Sequence, residues 1–311
     1  RASSLQVELR QSATLALGRL ANAGDEKLDG KIIKALQDAI QDSDQQSKWF
    51  SMIAIAQVGG TPGTTDDPVK NQLDVQKHLV KNLSGGKSRG RPWAALALGV
   101  MGHLQAEYGA VPSSDVNIAI RDAMTKVSSP QDIGAYALGA ALRGDQEAKS
   151  LIAKKLFDQI SQDDARGDLA VALGLLEARE HIEGITKIVQ DAKYRPDLLK
   201  QTAISLGLLG DKATVPELLK MLQDANSLAT QAAIATALGF IGDSRSIDPL
   251  VDMVGDEDLT ALARAFAAVA LGNVADKEML PWNSKVSVDI NYRANTVTLT
   301  GGKGTGLLDI L

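Results

Sequence analysis

A chain of 311 residues with a net charge of −5, 44% hydrophobic and only 4% aromatic residues can build a core, but from aliphatic and small side chains rather than rings. The acidic balance argues against a surface that tracks phosphates, because nucleic-acid affinity comes largely from clustered Lys and Arg that displace counterions. The absence of cysteine removes disulfides, thiolate metal sites and thiol nucleophiles together, and no apolar run reaches the roughly 18 to 20 residues that would span a bilayer.

Read from the N-terminus, the chain repeats one unit: an apolar, Ala-rich helical run closing on a small anchor residue, a polar turn, and a second helical run. The anchors are Gly18, Ala56, Gly99, Gly139, Gly174, Gly207, Gly239 and Gly272, spaced 38, 43, 40, 35, 33, 32 and 33 residues apart. The residue before each anchor is aliphatic, as at Leu98, Leu206 and Leu238, and the one before that is small, as at Ala97, Ser205 and Ala237. Small residues there predict close approach of neighbouring first helices, and a glycine near a helix end suits the left-handed turn that stops it. A unit of this size cannot bury its own apolar face, so the units must stack. The fold class expected is all-α, a right-handed α-solenoid of about eight helix pairs over residues 1–282.

The N-terminal half carries insertions between helices at 59–68, 84–92 and 105–115, and variable loops of a solenoid are where specificity is commonly added. The most regular stretch, 198–254, writes the unit twice. Its second helices show a one-sided apolar stripe, Val215, Leu218, Leu219 and Leu222, copied as Ile247, Leu250, Val251 and Val254, with Pro216 and Pro249 in the first turn, where a missing amide donor costs little. After Trp282 the period changes to alternation: 285–292 and 295–300 read as two strands of a β-hairpin. Residues 283–311 are therefore expected to form a hairpin cap and tail that cover the last repeat.

The unit TQAAIATALGFIGDSRSIDPLVDMV resembles HEAT repeats, particularly the short bacterial type also found in phycocyanobilin-lyase-like proteins; the match is strongest over 197–276 and looser over 5–178. The resemblance implies an inter-repeat ladder between basic residues at the start of the first helices and acids in the turns. Eight positions before each anchor stand Arg10, Lys48, Arg91, Gln131, Arg166, Leu199, Gln231 and Arg264; the turn acids are Asp211, Asp243 and Asp276. The ending PWNSKVSVDINYRANTVTLTGGKGTGLLDIL is similar to the C-terminus of HEAT-repeat proteins of planctomycete-type bacteria that have no settled activity. That likeness implies an exported bacterial protein, and a start at Arg1 within helical sequence fits a processed or a trimmed chain equally well.

Few residues suggest chemistry. His78, His103 and His181 fall in different units, without the His-Glu pairs by which HEAT-like deoxyhypusine hydroxylases hold iron, so no metal or other cofactor is expected. The run GGKGTG at 301–306 lacks the Lys-Ser/Thr pair and following helix of a phosphate loop. The most informative segment is SGGKSRGRPW, where Lys87, Arg89 and Arg91 crowd a Gly-rich loop that ends at Trp93; three cations on an acidic protein suit a phosphate, a carboxylate or an acidic partner surface. Trp49 and Trp93 stand early in consecutive first helices, in positions suited either to inter-repeat packing or to an exposed anchor for a partner.

These features point to a non-catalytic scaffold that binds another protein through a concave surface lined by second helices. Glu217, Lys220 and Asp252 are its candidate contacts there, and the basic loop is a second site. Two alternatives stand beside it: handling of a small chromophore or cofactor, which would need an aromatic-lined pocket, and a HEAT-like alkylpurine DNA glycosylase, which would need a basic groove.

Overall fold

A computed structural model describes residues 2–41, 44–225 and 227–277. The expected hairpin at 283–311 and the acid Asp276 lie outside the residues or side chains described. Among the described residues there are fifteen α-helices and no strands, and no helix is long and apolar enough to cross a membrane. Every anchor falls on an odd-numbered helix of the series α1 (Ala2–Leu20), α3 (Gln45–Gly60), α5 (Arg91–Glu107), α7 (Pro130–Leu142), α9 (Asp163–Leu175), α11 (Pro196–Leu208), α13 (Leu228–Ile241) and α15 (Ala261–Lys277). The second helices are α2 (Lys27–Ala39), α4 (Gln72–Gly85), α6 (Ser114–Lys126), α8 (Lys149–Lys154, running on into a π-helical turn), α10 (Ile182–Asp191), α12 (Val215–Gln223) and α14 (Ile247–Gly255). Seven pairs and an eighth first helix are thus described.

The chain divides between Leu151 and Ile152 into two compact units. In the first, α1, α3, α5 and α7 pack in sequence, each against the next; in the second, α9, α11, α13 and α15 do the same. Second helices pack onto the first helix that follows, as α4 does on α5 and α12 on α13. First helices are therefore enclosed by neighbours, and α3 is buried almost throughout from Phe50 to Gly60. Second helices bury one stripe only: Val75, Leu79 and Leu83 in α4, and Val116, Ile120 and Met124 in α6. In α12 and α14 that stripe is narrower than expected and turned by one position. Val215, Leu218 and Met221 in α12 and Leu250 with Met253 in α14 are buried, whereas Val251 is 51% exposed. Two-turn helices need only an i, i+3 contact, and the flexible Met side chain fills the irregular gap beneath.

The anchor glycines do not make left-handed turns; they lie inside the helices, and at Gly18, Gly99, Gly139, Gly174, Gly207 and Gly239, though not at Gly272, a side chain would crowd its neighbours. A Cβ on Gly99 would stand 2.7 Å from the Cα of Gly139, and one on Gly139 would strike the carbonyl oxygen of Ala95. The left-handed residues come later, at Gly144, Gly210 and Gly242, with Glu177 taking the same conformation at φ 52°. The anchor is thus a close-approach position, and the helix stop is a separate device.

At several positions the expected charge ladder is replaced by another arrangement, although Arg10 still acts on Asp44 of the next repeat. Among the basic residues eight before the anchors, Arg91 donates from Nε to the Gly86 carbonyl at 2.9 Å and Arg264 to the Val254 carbonyl at 2.7 Å; Gln231 at the same position donates to the Ala225 carbonyl at 3.1 Å. Each side chain satisfies a carbonyl at the end of the preceding second helix, where four backbone acceptors lack helical partners. Asp211 is occupied within its own turn by the Ala213 amide and the Thr214 hydroxyl, and Asp243 holds Arg245 by Nε to Oδ1 at 2.8 Å. A charge that the pattern does not flag, Arg143, is 5% exposed and donates to the Leu98 and Ser113 carbonyls and to Asn117 Oδ1, tying the 105–115 insertion to α5. Gly102 leaves the space for it, and burial brings its pKa down to about 10.

Candidate binding cleft

The 84–92 insertion is a folded loop. Helix α4 ends as the Gly86 amide donates to the Asn82 carbonyl at 3.0 Å, and the chain turns so tightly there that a Cβ on Gly86 would meet that same carbonyl. A 3₁₀ turn, Ser88–Gly90, follows, closed by Gly90 N–H to the Lys87 carbonyl at 2.8 Å. Arg91 then reaches back to Gly86, so it is committed to the loop's own structure. Pro92 occupies the first turn of α5, where its missing N–H is harmless, and Trp93 comes next.

Because α3 and α5 are adjacent first helices, Trp93 lies over Trp49. Their rings stack with centroids 5.1 Å apart and planes 7° from parallel, and both are half-buried. Two cavities open beside the stack. The first, of about 420 Å³, is walled by Lys48, Trp49, His78, Lys81, Lys87 and Arg89. The second, of about 410 Å³, is walled by Trp49, Arg89, Pro92, Trp93 and Asp132. Gln45, Trp49 and Arg89 line both. Of the expected loop residues, Lys87, Arg89 and Trp93 face these cavities and Arg91 does not.

No carboxylate among the described residues lines the first cavity. Among the described residues, Lys48, Lys81, Lys87 and Arg89 form no ion pair. Burial pushes the His78 imidazole below its ordinary pKa, against an upward pull from Asp74 and with a further downward push from Lys81. It is therefore neutral at pH 7, and its Nε2 is enclosed without a hydrogen-bond partner. Lys48, His78 and Lys81 were not legible as site residues. Their only signal is that His78 and Lys81 are three apart on α4, hence on one helix face, and which face meets α3 and the loop is a tertiary fact.

The other histidines are used elsewhere: His103 Nε2 lies 3.4 Å from Glu107, and His181 packs tilted against Phe157 at 5.8 Å. Among the described residues no three His, Asp or Glu side chains group in a way that would hold a metal ion. In the second unit, Glu217 and Lys220 on α12 and Asp252 on α14 are exposed, with Glu217 accepting from Gln190 of α10 at 3.5 Å. These three belong to a different unit from the cleft. A separate cavity of about 440 Å³ lies at Lys193, Tyr194, Asp224 and Thr230, where Lys193 pairs with Asp224 at 3.4 Å.

No curated protein matches the chain. Residues 182–272, which run from the start of α10 into α15, match the family model described as HEAT repeats, and this supports reading the chain as a HEAT-repeat protein.

Proposed function

We propose that this protein is a non-catalytic scaffold that binds another protein. HEAT-repeat arrays are generally protein-interaction scaffolds, and the observation that carries the reading here is the cleft at Trp49 and Trp93. It combines half-buried indoles with unpaired cations, and Trp and Arg are the residue types enriched among side chains that dominate protein interfaces. The loop that presents Lys87 and Arg89 is already folded, so little ordering cost is left for the binding step. Exposed Glu217, Lys220 and Asp252 on the second helices form a second contact surface.

The test is affinity capture from a native extract with the intact chain, beside one variant with Lys87 and Arg89 changed to Ala and another with Glu217, Lys220 and Asp252 changed to Ala. A protein retained by the intact chain and lost from one variant supports the scaffold and places its contact. A second reading, handling of a small chromophore or cofactor, is favoured by the indole pair that walls the cavity of about 410 Å³. Co-purification of a small molecule with no retained protein would put that reading first.

A further inference from the structure

We infer that the cleft over the Trp49–Trp93 stack seats an acidic segment of the partner protein, a short stretch whose carboxylates meet Lys48, Lys81, Lys87 and Arg89 while an apolar side chain lies against the indoles. The inference rests on the scaffold reading and specifies the partner's chemistry.

Four cations from three elements, α3, α4 and the 86–90 loop, converge on one cavity that no carboxylate of the described residues lines. Like charges so placed repel one another, and the potential they create attracts and orients an anion. The four are not consumed by the fold, in contrast with Arg91, Arg143 and Arg245, each of which has a hydrogen-bonded partner. His78 adds an enclosed nitrogen without a partner on the same wall, and a carboxylate placed near it favours the imidazolium.

The second cavity changes the polarity along the cleft. It shares Gln45, Trp49 and Arg89 with the first, but its other walls, which include Pro92, Trp93, Leu96, Gln131 and Asp132, carry no further cation, so the positive field is confined to one end. An acidic peptide matches this, with charge at one end and an apolar side chain at the other. A nucleic-acid strand carries a phosphate on every nucleotide, and some would be forced against Asp132 on a chain whose net charge is −5.

The probe is a fluorescein-labelled Glu-Glu-Glu-Glu-Leu-Phe peptide, titrated with the full chain at low salt and read by fluorescence anisotropy. The same peptide with Lys for Glu, and a thymidylate hexamer, serve as comparisons. The acidic peptide should bind, the basic one should not, and K87A/R89A should weaken binding by about tenfold or more. K154A/K187A, which removes two exposed cations from the second unit, should leave binding unchanged. Because Lys87 and Arg89 are exposed, the variant should keep the far-ultraviolet circular dichroism of the intact chain. A second reading uses the unaltered protein: of the resonances of its three histidines, His78 should move on titration while His103 and His181 stay. A hexamer bound as tightly as the acidic peptide would make the site a nucleic-acid one. Equal loss in K154A/K187A, a still His78, or no binding at all would also overturn the inference. If the peptide fails while capture still returns a protein partner, the cleft assignment falls and the scaffold stands; if both fail, so does the scaffold.

Discussion

Replacing Gly99 by Ala tests whether the anchors are close-approach positions. A Cβ there would sit 2.7 Å from the Gly139 Cα and 2.8 Å from its carbonyl oxygen. Both obstacles are backbone atoms of the neighbouring first helix, so no side chain can rotate aside; α5 and α7 must move apart. A gap of about 0.5 to 1 Å forfeits a quarter to a half of each dispersion contact across the seam. That puts the cost near the upper end of overpacking, about 3 kcal/mol, offset by about 1 kcal/mol of helix propensity gained over Gly. The net expectation is a loss of about 2 kcal/mol. Gly30 is the matched control: it is also helical, in α2, but exposed and with nothing within 4 Å of a built Cβ. G30A should stabilise by up to about 1 kcal/mol. Urea unfolding of the two variants beside the parent measures both. Equal shifts, or stabilisation by G99A, would refute the close-approach argument.

Arg143→Met keeps the aliphatic stem but strands the Leu98 and Ser113 carbonyls, and should cost about 2 to 4 kcal/mol by urea unfolding, with hydrogen exchange rising first in the 105–115 segment. Asp243 is held below its ordinary pKa chiefly by the hydrogen bond from Arg245, so its contribution is complete above the unfolded value of 3.8 and is lost as pH falls through the folded one. D243N should therefore be about 1 kcal/mol less stable than the parent at pH 7, and the difference should shrink progressively as pH falls below 3.8. The stacked indoles should give a coupled circular-dichroism signal that both W49F and W93F abolish, and a double-mutant cycle between them should return about 0.5 to 1.5 kcal/mol. Arg264→Ala removes the donor to the Val254 carbonyl and should cost about 1 kcal/mol, with Arg264→Gln recovering part of it because Gln231 performs the same task one repeat earlier.

The helix-pair architecture was present in the sequence because periodicity is local. Each unit repeats its buried face at fixed offsets, so the eight anchors marked eight first helices, and Trp49 and Trp93, at nearly equal offsets in consecutive units, were placed near each other. What a residue type does at its position was less visible. The anchor glycines read as helix stops until Gly139 was seen against Ala95, and the basic residues eight before the anchors read as ion-pair partners until Arg91 and Arg264 were found on backbone carbonyls. Met221 and Met253 displaced Leu222 and Val254 from the buried stripe, since the rotation of a two-turn helix is fixed by the helix it packs on and not by its own hydrophobicity. The cleft shows the same division. Lys87, Arg89 and Trp93 form a contiguous run that sequence can display, whereas Lys48, His78 and Lys81 join them only because α3, α4 and the loop meet in space. The local period determined which helices stack; only the contact between helices decided which charges are consumed by the fold and which line the cleft.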